Sequence, residues 1–277
     1  MFALFFLRNL FGKLIELMTE SPSLTYIGHA TVLIEMGGMR VLTDPILRNR
    51  ISLLRRRGLP IDPATFRDID AVLISHLHYD HLDLPSLRLL GHDTRLIVPH
   101  GSAKLFRRQG FRLIEDVREG DTTTIGMLTV RATRARHSHY RHPFGLRSDC
   151  LGFIIQGQYK VYFPGDTDIF PEMIHLQDDL DVALLPVWGW GPTLGPGHMD
   201  PLQAAKALAL LRPRLAIPIH WGTLYPTGLA QLNPRRFLTD PPYAFARFAA
   251  YLAPEVKTQI VEPGGTVSLD EALKEAR

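Results

Sequence analysis

Four side chains that commonly bind metal ions lie within six residues of one another near position 80. His76, His78, Asp80 and His81 form the pattern His-x-His-x-Asp-His. Imidazole nitrogens and carboxylate oxygens are borderline ligands that suit zinc or iron-like ions. A solvated loop does not need three histidines and an aspartate so close together in order to be soluble. A loop without a further role therefore explains the pattern poorly. The stretch therefore predicts a metal site.

A short buried strand is expected to position these ligands. Residues 71–74 are Ala-Val-Leu-Ile, an apolar run typical of a buried strand. Residues two apart in an extended chain face the same side, so His76 and His78 can share one ion. Asp83 and Pro85 are typical of a helix start, which places the last two candidate ligands in a turn. That turn can direct them toward a second position nearby.

Three further candidates each follow an apolar strand later in the chain. Predicted strands end shortly before His137, Asp166 and His220. Strand ends can converge at one edge of a sheet, which would bring these side chains together. Each candidate has an alternative when it is taken singly. His139 or His142 could take the place of His137 as the ligand. Asp166 could cap a turn, and His220 could be a buried, hydrogen-bonded histidine.

The order of strands and helices favours a layered α/β domain, without specifying which one. Gly37 and Gly38 predict a hairpin turn between two short strands. Helices are expected over residues 201–211 and around 244–251, and a last strand near 258–261. The basic stretch at 46–66 is interpreted as an irregular surface loop, with a lid or membrane contact as the alternative.

Residues 1–20 are interpreted as an amphipathic N-terminal helix that precedes a single domain over residues 21–277. Apolar residues from position 7 to position 18 recur at helical spacing. The helix either docks on the domain or a partner subunit, or lies in a membrane interface, helped by the arginines at 55–57. The apolar stretch before Arg8 is too short to span a bilayer, and no secretory signal is predicted.

Composition indicates a globular protein. Of the 277 residues, 45% are hydrophobic and 21% charged, which is ordinary for a folded domain with a sizeable core. A net charge of +3 permits an anionic substrate but does not favour nucleic acid as a partner. Cys150 is the only cysteine, which excludes an internal disulfide and a thiolate metal cage. The cytoplasm is the default location, with the N-terminal helix offering peripheral contact at the inner membrane surface.

The His-x-His-x-Asp-His pattern after an apolar strand resembles the metallo-β-lactamase superfamily of dinuclear metallohydrolases. The resemblance implies an α/β (α+β) fold, a four-layer αββα sandwich, and two divalent ions. Zinc is the default metal, and manganese or iron(II) suit the same ligands. The resemblance implies that the first ion is held by His76, His78 and His137, that the second is held by Asp80, His81 and His220, and that Asp166 bridges them.

Three further stretches resemble one branch of that superfamily, the bacterial relatives of N-acyl-phosphatidylethanolamine-hydrolysing phospholipase D and of ascorbate-6-phosphate lactonase. They are residues 26–35, 197–201 and 217–223. In this branch the position of His198 lines the active site, where it would orient substrate or protonate the leaving group. Alternatively, His198 only precedes a helix. Asp44 resembles an early aspartate that orients a metal-binding imidazole without binding the metal itself.

Four more residues are candidates for substrate binding. Trp188 and Trp190 lie in a glycine-rich loop that differs from the one expected of a dedicated phospholipase, and they either line a hydrophobic cleft or pack the loop. Arg141 and Arg147 follow His137 and either bind an anionic group of the substrate or remain solvated.

The resemblance implies a hydrolase in which two metal ions activate a shared hydroxide, with Asp80, Asp166 and His198 as the catalytic candidates. Its expected reaction is cleavage of a phosphodiester or related ester in a small molecule, including lipid-like and anionic ones. The alternative is hydrolysis of a lactone or cyclic ester of a sugar phosphate-like metabolite. A third interpretation, from another class, is a metal-containing binding module without turnover.

Overall fold

The computed structural model describes residues 21–58, 60–139, 146–191, 194–228 and 235–276. The predicted helix over residues 1–20 and Arg141 lie outside these ranges. In chain order the strands are β1 (Ser23–Gly28), β2 (Thr31–Met36), β3 (Met39–Thr43), β4 (Arg50–Ile51), β5 (Leu54–Arg56), β6 (Ala71–Leu73), β7 (Arg95–Pro99), β8 (Ile114–Val117), β9 (Thr122–Ile125), β10 (Leu128–Arg134), β11 (Leu151–Gln156), β12 (Lys160–Phe163), β13 (Val182–Pro186), β14 (Leu215–Ile219), β15 (Leu224–Pro226), β16 (Lys257–Thr258) and β17 (Gly265–Ser268). The α-helices are α1 (Leu84–Leu90), α2 (Ala103–Arg108), α3 (Pro201–Leu211), α4 (Arg235–Leu238), α5 (Asp240–Leu252) and α6 (Leu269–Lys274).

Two seven-stranded sheets form the centre of the fold. Their strand orders are β17-β1-β2-β3-β6-β7-β8 and β16-β14-β13-β12-β11-β10-β9, and β15-β5-β4 form a small third sheet. Apolar side chains from both large sheets, such as Ile34 and Phe153, belong to one buried core. Leu87 of α1 and Phe106 of α2 pack against the first sheet in a second apolar cluster, while α3 and α5 contact β13 and β14 of the second sheet. The predicted layering of helix, sheet, sheet and helix is thus confirmed.

Strand direction brings the candidate ligands to one edge of the fold. Strands β12, β13 and β14 are parallel. Strand β10 runs the same way, because β10 and β12 are each antiparallel to β11. The carboxyl ends of β10, β12 and β14 therefore share one edge, and they lead to His137, Asp166 and His220. Ligand sites of α/β sheets commonly lie at such ends.

The C-terminal part differs from the sequence prediction. Of the strand predicted near residues 258–261, only Lys257–Thr258 is extended and paired. The last strand is instead β17, which extends the first sheet by pairing with β1, for example Val267 opposite Leu24. The four residues of β17 contain a single apolar strand former, so their sequence carries little β signal, and the partner lies more than two hundred residues away in the chain.

The basic stretch at 46–66 is also more structured than predicted. It contributes β4 and β5 to the small sheet, where β5 pairs with β15 just beyond His220. Arg56 is only 7% exposed, and its guanidinium donates hydrogen bonds to the carbonyls of Ile27 (3.1 Å) and Ile46 (2.6 Å). The interpretation of the stretch around this arginine as an irregular surface loop was therefore wrong, because its guanidinium is buried and backbone carbonyls replace water around it.

Candidate metal centre

The central motif begins shortly after β6 and ends in a tight turn where the sequence predicts one. His76 and His78 follow β6, and the backbone amide of His81 then donates to the carbonyl of His78 at 3.0 Å, which closes the turn. Helix α1 begins directly afterwards, with the Asp83 carboxylate accepting from the backbone amide of Ser86 at 3.0 Å. A side-chain oxygen that accepts from an amide of the first turn stabilises a helix start. The turn is therefore held on both sides.

One group of imidazoles comes from the motif and from the end of β10. The Nδ1 atom of His78 lies 3.1 Å from Nε2 of His76 and 2.8 Å from Nε2 of His137. All three ligand atoms lie within 4.8 Å of one another. Ligand atoms about 2.0–2.1 Å from a tetrahedral ion are separated from one another by about 3.3 Å. The three nitrogens are thus spaced as the ligands of a single ion.

A second group lies beside the first. The Nε2 atoms of His81 and His220 are 3.0 Å apart, and Oδ2 of Asp80 is 3.8 Å from each. His29 joins this group, because its ligand atom lies within 4.8 Å of those of the other three. His29 was not among the ligands predicted from the sequence. Its sequence signals are that Gly28-His29-Ala30 interrupts two apolar strands and that it lies within the stretch 26–35 that resembles one branch of the superfamily.

Asp166 lies between the two groups. Its Oδ2 is 3.1 Å from Nε2 of His81, its Oδ1 is 3.2 Å from Nε2 of His220, and the residue also lies within 4.8 Å of the ligand nitrogen of His137. Both carboxylate oxygens are buried, and none of these contacts has the alignment of a hydrogen bond. A buried carboxylate without hydrogen bonds is costly unless a cation compensates it. This environment therefore fits a carboxylate that binds metal.

The tautomers of the histidines support the same conclusion. Carbonyl and carboxylate oxygens only accept hydrogen bonds, so a ring nitrogen that contacts one must carry a proton. The Nδ1 proton is directed to such oxygens in three of the rings, so Nε2 is in each case the nitrogen that faces the centre and can bind an ion. The contacts are His81 to Asp44 Oδ2 (2.7 Å), His137 to the Gly197 carbonyl (2.8 Å) and His220 to the Trp188 carbonyl (2.6 Å).

Burial keeps most of these rings in the form that binds metal. Burial lowers the pKa of His137 to about 4 and that of His220 to about 3, and it lowers the pKa of His76 well below its ordinary value. These rings are neutral at pH 7, which is the state required of a ligand. Burial also raises the pKa of Asp166, but the imidazoles of His220 and His81 outweigh it and hold the carboxyl pKa well below the ordinary range.

His81 shows that the centre lacks positive charge. Burial lowers its pKa, but the carboxylates of Asp166 and Asp80 outweigh burial and raise the pKa well above the ordinary value. Within the described ranges, no lysine or arginine forms an ion pair with Asp44, Asp80 or Asp166. Without a bound cation the imidazole of His81 takes up a proton instead, so the residues fit a site built for metal ions.

Asp44 occupies the position expected of a residue that orients His81. It is fully buried, and its second oxygen accepts from the backbone amide of Ser75 at 2.7 Å. Burial raises its pKa despite these contacts. Because Asp44 holds the Nδ1 proton of His81, the Nε2 of that ring faces the other ligands.

A loop that we call the tryptophan loop, residues 188–191 and 194–198, contacts members of both groups. Its Trp188 and Gly197 carbonyls hold His220 and His137, and the Trp190 indole donates to Asp80 Oδ2 at 3.0 Å. Gly197 has φ +85°, and a Cβ there would lie 2.7 Å from Nδ1 of His137, so only glycine permits this approach. The predicted alternatives for the tryptophans stay open, but both lie at the candidate centre.

His198 ends this loop at the open side of the centre. Its Nδ1 donates to the carbonyl of Gly195 at 3.1 Å, and its Nε2 lies 3.2 Å from Oδ2 of Asp166. Burial lowers its pKa, but Asp166 outweighs burial and raises the pKa to about 9 in the metal-free protein. A cavity of about 520 Å³ adjoins this residue. Arg147 is exposed, so its predicted binding of an anionic group stays a prediction, as does that of Arg141.

Acid is expected to destabilise the metal-free protein. Between about pH 6.5, where unfolded histidines titrate, and the lowered pKa values of His137 and His220, the unfolded chain binds more protons than the native one. The free energy of unfolding should therefore decrease as the pH is lowered, by about 1.4 kcal/mol per pH unit for each such histidine. His81 does not contribute to this pH dependence. Its raised pKa keeps it protonated in the native state, and below about pH 6.5 it is mostly protonated in the unfolded state as well. Urea unfolding of chelator-treated protein at several pH values measures this, and equal stability at about pH 7 and about pH 5 would contradict it.

Comparisons with known proteins show which family this chain resembles. A family model described as the beta-lactamase superfamily domain matches residues 39–221. The N-acyl-phosphatidylethanolamine-hydrolyzing phospholipase D 1 of Caenorhabditis elegans is 32% identical over 252 residues, which cover 78% of this chain and 68% of that protein. A UPF0173 metal-dependent hydrolase of Rubrobacter xylanophilus is 29% identical over 263 residues, covering 91% of this chain and 98% of the relative.

Solved structures show the same similarity. Igni18, described as a novel metallo hydrolase from Ignicoccus hospitalis, superposes with a TM-score of 0.68 and 27% identity, covering 90% of this chain and 98% of its own. None of the helices within the described ranges has the length and apolar character needed to cross a bilayer. Because the family match spans most of the chain and the relatives are similar along most of their length, the chain belongs to the metallo-β-lactamase superfamily of metal-dependent hydrolases.

Proposed function

We propose that this hydrolase uses two divalent metal ions to cleave a phosphodiester or a related ester bond in a small molecule. The observation that carries the proposal is the position of Asp166, whose two oxygens lie 3.1 Å from His81 and 3.2 Å from His220 while the residue also reaches His137. A structural zinc site closes its coordination with four protein ligands and keeps no position for water. A carboxylate shared by two ligand groups instead suits a pair of catalytic ions.

The residues divide between the ions as the two groups suggest. Zinc is the expected metal, and manganese or iron(II) suit the same nitrogen and oxygen ligands. When bound, such ions would supply a hydroxide nucleophile near neutral pH and polarise the bond that is cleaved. His76, His78 and His137 would hold the first ion, Asp80, His81 and His220 the second, and Asp166 both.

The carboxylates of Asp80 and Asp166 are suited to this role because both are ionised. Burial raises the pKa of Asp80, but the nearby rings of His81 and His29 outweigh burial and hold the pKa well below its ordinary value. Asp166 would keep the two ions at a fixed separation and orient the nucleophile. Asp44, which holds the outer proton of His81, would preserve the direction of that ligand.

The cavity beside His198 supports a substrate with both polar and apolar parts. Its walls combine an indole and a leucine with carboxylates and an amide, and they are formed by Asp168, Trp188, Leu194, His198, Asp200 and Gln203. The relative from Caenorhabditis elegans is named for hydrolysis of a phospholipid, N-acyl-phosphatidylethanolamine. Together these observations favour an ester that joins a polar group to an apolar one.

Three classes of substrate test the reaction directly. The purified protein, with its metal content measured, is assayed with bis(p-nitrophenyl) phosphate, with phospholipids in mixed micelles and with a panel of lactones. We expect hydrolysis of the phosphodiesters. His78→Ala should abolish it, whereas His175→Ala, which removes an exposed histidine, should not change it. Hydrolysis of lactones alone would replace the proposed substrate class, and hydrolysis of none by protein carrying two ions would indicate a binding module.

His198 is proposed to donate a proton to the leaving group. Its Nε2 lies 3.2 Å from Oδ2 of Asp166 and it lines the cavity, so it would lie between the metal ligands and a substrate bound there. His198→Ala should lower kcat by about 10²-fold or more for diesters with alkyl alcohol leaving groups, which need protonation. Nitrophenolate leaves without a proton, so bis(p-nitrophenyl) phosphate should be hydrolysed at nearly the unchanged rate.

Steady-state kinetics of the two substrate types, measured side by side, separate this role from a structural one. Metal content must remain that of the unaltered protein. An equal loss of kcat on both substrates would show that His198 positions the substrate or Asp166 and does not act as a proton donor.

A further inference from the structure

His29 connects two members of the second ligand group but is absent from the proposed ligand set. It follows Gly28 in the short turn between β1 and β2 and is fully buried. Its backbone is fixed on both sides, because its amide donates to Oγ1 of Thr223 at 3.0 Å and its carbonyl accepts from the amide of His220 at 2.7 Å. The main chain of His29 therefore helps to hold the main chain of a candidate ligand.

The side chain of His29 reaches the same two neighbours. Its Nε2 lies 3.0 Å from Oδ2 of Asp80, and its ring lies against that of His220 with 3.7 Å between the centroids. Burial lowers the pKa of His29, although Asp80 opposes this. A carboxylate only accepts, so the Nε2 atom carries the proton and donates it. The Nδ1 atom has no hydrogen-bond partner among the described residues, so within them the contact with Asp80 is the only hydrogen bond of this ring.

The turn that carries His29 is built for close approach. Gly28 has φ +133°, and a Cβ at this position would lie 2.5 Å from Oγ1 of Thr223. His29 itself has φ +58°, a left-handed conformation that is unfavourable for a residue with a side chain. Arg56 holds the residue before Gly28 in place, because its guanidinium donates a hydrogen bond to the carbonyl of Ile27 at 3.1 Å. A strained residue held this firmly is typical of a functional position.

We propose that His29 is a positioning residue that directs Asp80 and His220 toward the second metal ion. The inference rests on the proposed two-metal function. The indole of Trp190 donates to the same oxygen of Asp80 at 3.0 Å, but from the exposed side of the centre. Two donors on Oδ2 fix the carboxylate plane, and the buried one also restrains a second ligand. Residues that orient ligands in this way contribute about 10- to 100-fold to metal affinity.

The test compares three proteins: the unaltered chain, His29→Ala and His29→Gln. Glutamine retains an N–H donor at about the reach of the imidazole Nε2, whereas alanine removes it. Zinc bound per chain is measured by equilibrium dialysis over a range of buffered free zinc, and the visible spectrum is recorded after substitution with cobalt(II). We expect one of the two binding steps to weaken by about 10- to 100-fold in His29→Ala, with an altered cobalt spectrum, and His29→Gln to recover most of the loss. His175→Ala serves as the control.

The outcomes separate this inference from the function on which it rests. If the unaltered chain binds no zinc, the proposed function itself fails. If it binds two ions and His29→Ala binds them equally well, only the role of His29 is overturned. Failure of His29→Gln to recover binding, in protein whose thermal unfolding with chelator matches that of the unaltered chain, would also overturn the positioning role and favour direct coordination by His29.

Discussion

Replacing Asp166 with asparagine is expected to lower kcat/KM by about 10³-fold or more. The carboxylate lies between the two ligand groups, and its oxygens are buried without aligned hydrogen bonds. An amide has nearly the same shape but lacks the charge with which the carboxylate would hold two cations in the proposed function. Metal ions contribute several kcal/mol to stabilising the charge that develops in the transition state, and each 1.36 kcal/mol corresponds to about tenfold in rate. Kinetics with bis(p-nitrophenyl) phosphate, together with the metal content of the variant, measure the effect.

The exposed ion pair between Asp93 and Arg112 offers a matched control. Asp93→Asn makes the same chemical change at a solvated position, where an ion pair contributes little. It should leave both activity and metal content unchanged. If Asp166→Asn retained two ions and full activity, the bridging role would be wrong and the two-metal proposal would lose its main support.

Removing the metal is expected to abolish hydrolysis and to lower the melting temperature. The centre then contains buried carboxylates without bound cations, and among the described residues the protonated rings of His81 and His198 are what offsets their charge. A free metal concentration of about 100 times the Kd stabilises the native state by about 2.7 kcal/mol. This corresponds to about 5–10 °C in Tm for a chain of this size. Differential scanning calorimetry and activity before and after dialysis against a chelator measure both effects.

Adding back single metals identifies the ion that restores function. Zinc, manganese and iron(II) are supplied separately to the same metal-free preparation, and activity is followed together with the ions bound per chain. Protein that metal analysis shows to be free of ions, yet hydrolyses its substrate at the original rate, would contradict metal dependence of the reaction.

Local sequence was sufficient to predict much of the fold and the main motif. The apolar run at 71–74, the two-residue spacing of His76 and His78, and the helix start at Asp83 depend on neighbouring residues, and the structure has a strand, an extended segment and a capped helix there. The apolar strand before Asp166 was predictable for the same reason. Period and capping are local properties of the chain.

The features that were missed depend on partners far along the chain. Strand β17 is short and pairs with β1 across most of the sequence. Arg56 looks like a surface arginine until its carbonyl partners are known. His29 and Trp190 both contact Asp80, from positions 51 and 110 residues away in the chain. Composition and periodicity carry no information about such contacts, so these roles required coordinates.

The tryptophan loop has a consequence for how substrates and cofactors influence each other. Its carbonyls at Trp188 and Gly197 fix rings of both ligand groups, and the same residues or their neighbours line the cavity beside His198. A molecule that shifts this loop on binding would therefore change the affinity of the centre for metal. By thermodynamic linkage the effect is mutual. Metal binding changes the affinity for the substrate by the same factor by which substrate binding changes the affinity for metal. Measured substrate affinity should consequently vary with the concentration of free metal, even where every enzyme molecule remains folded.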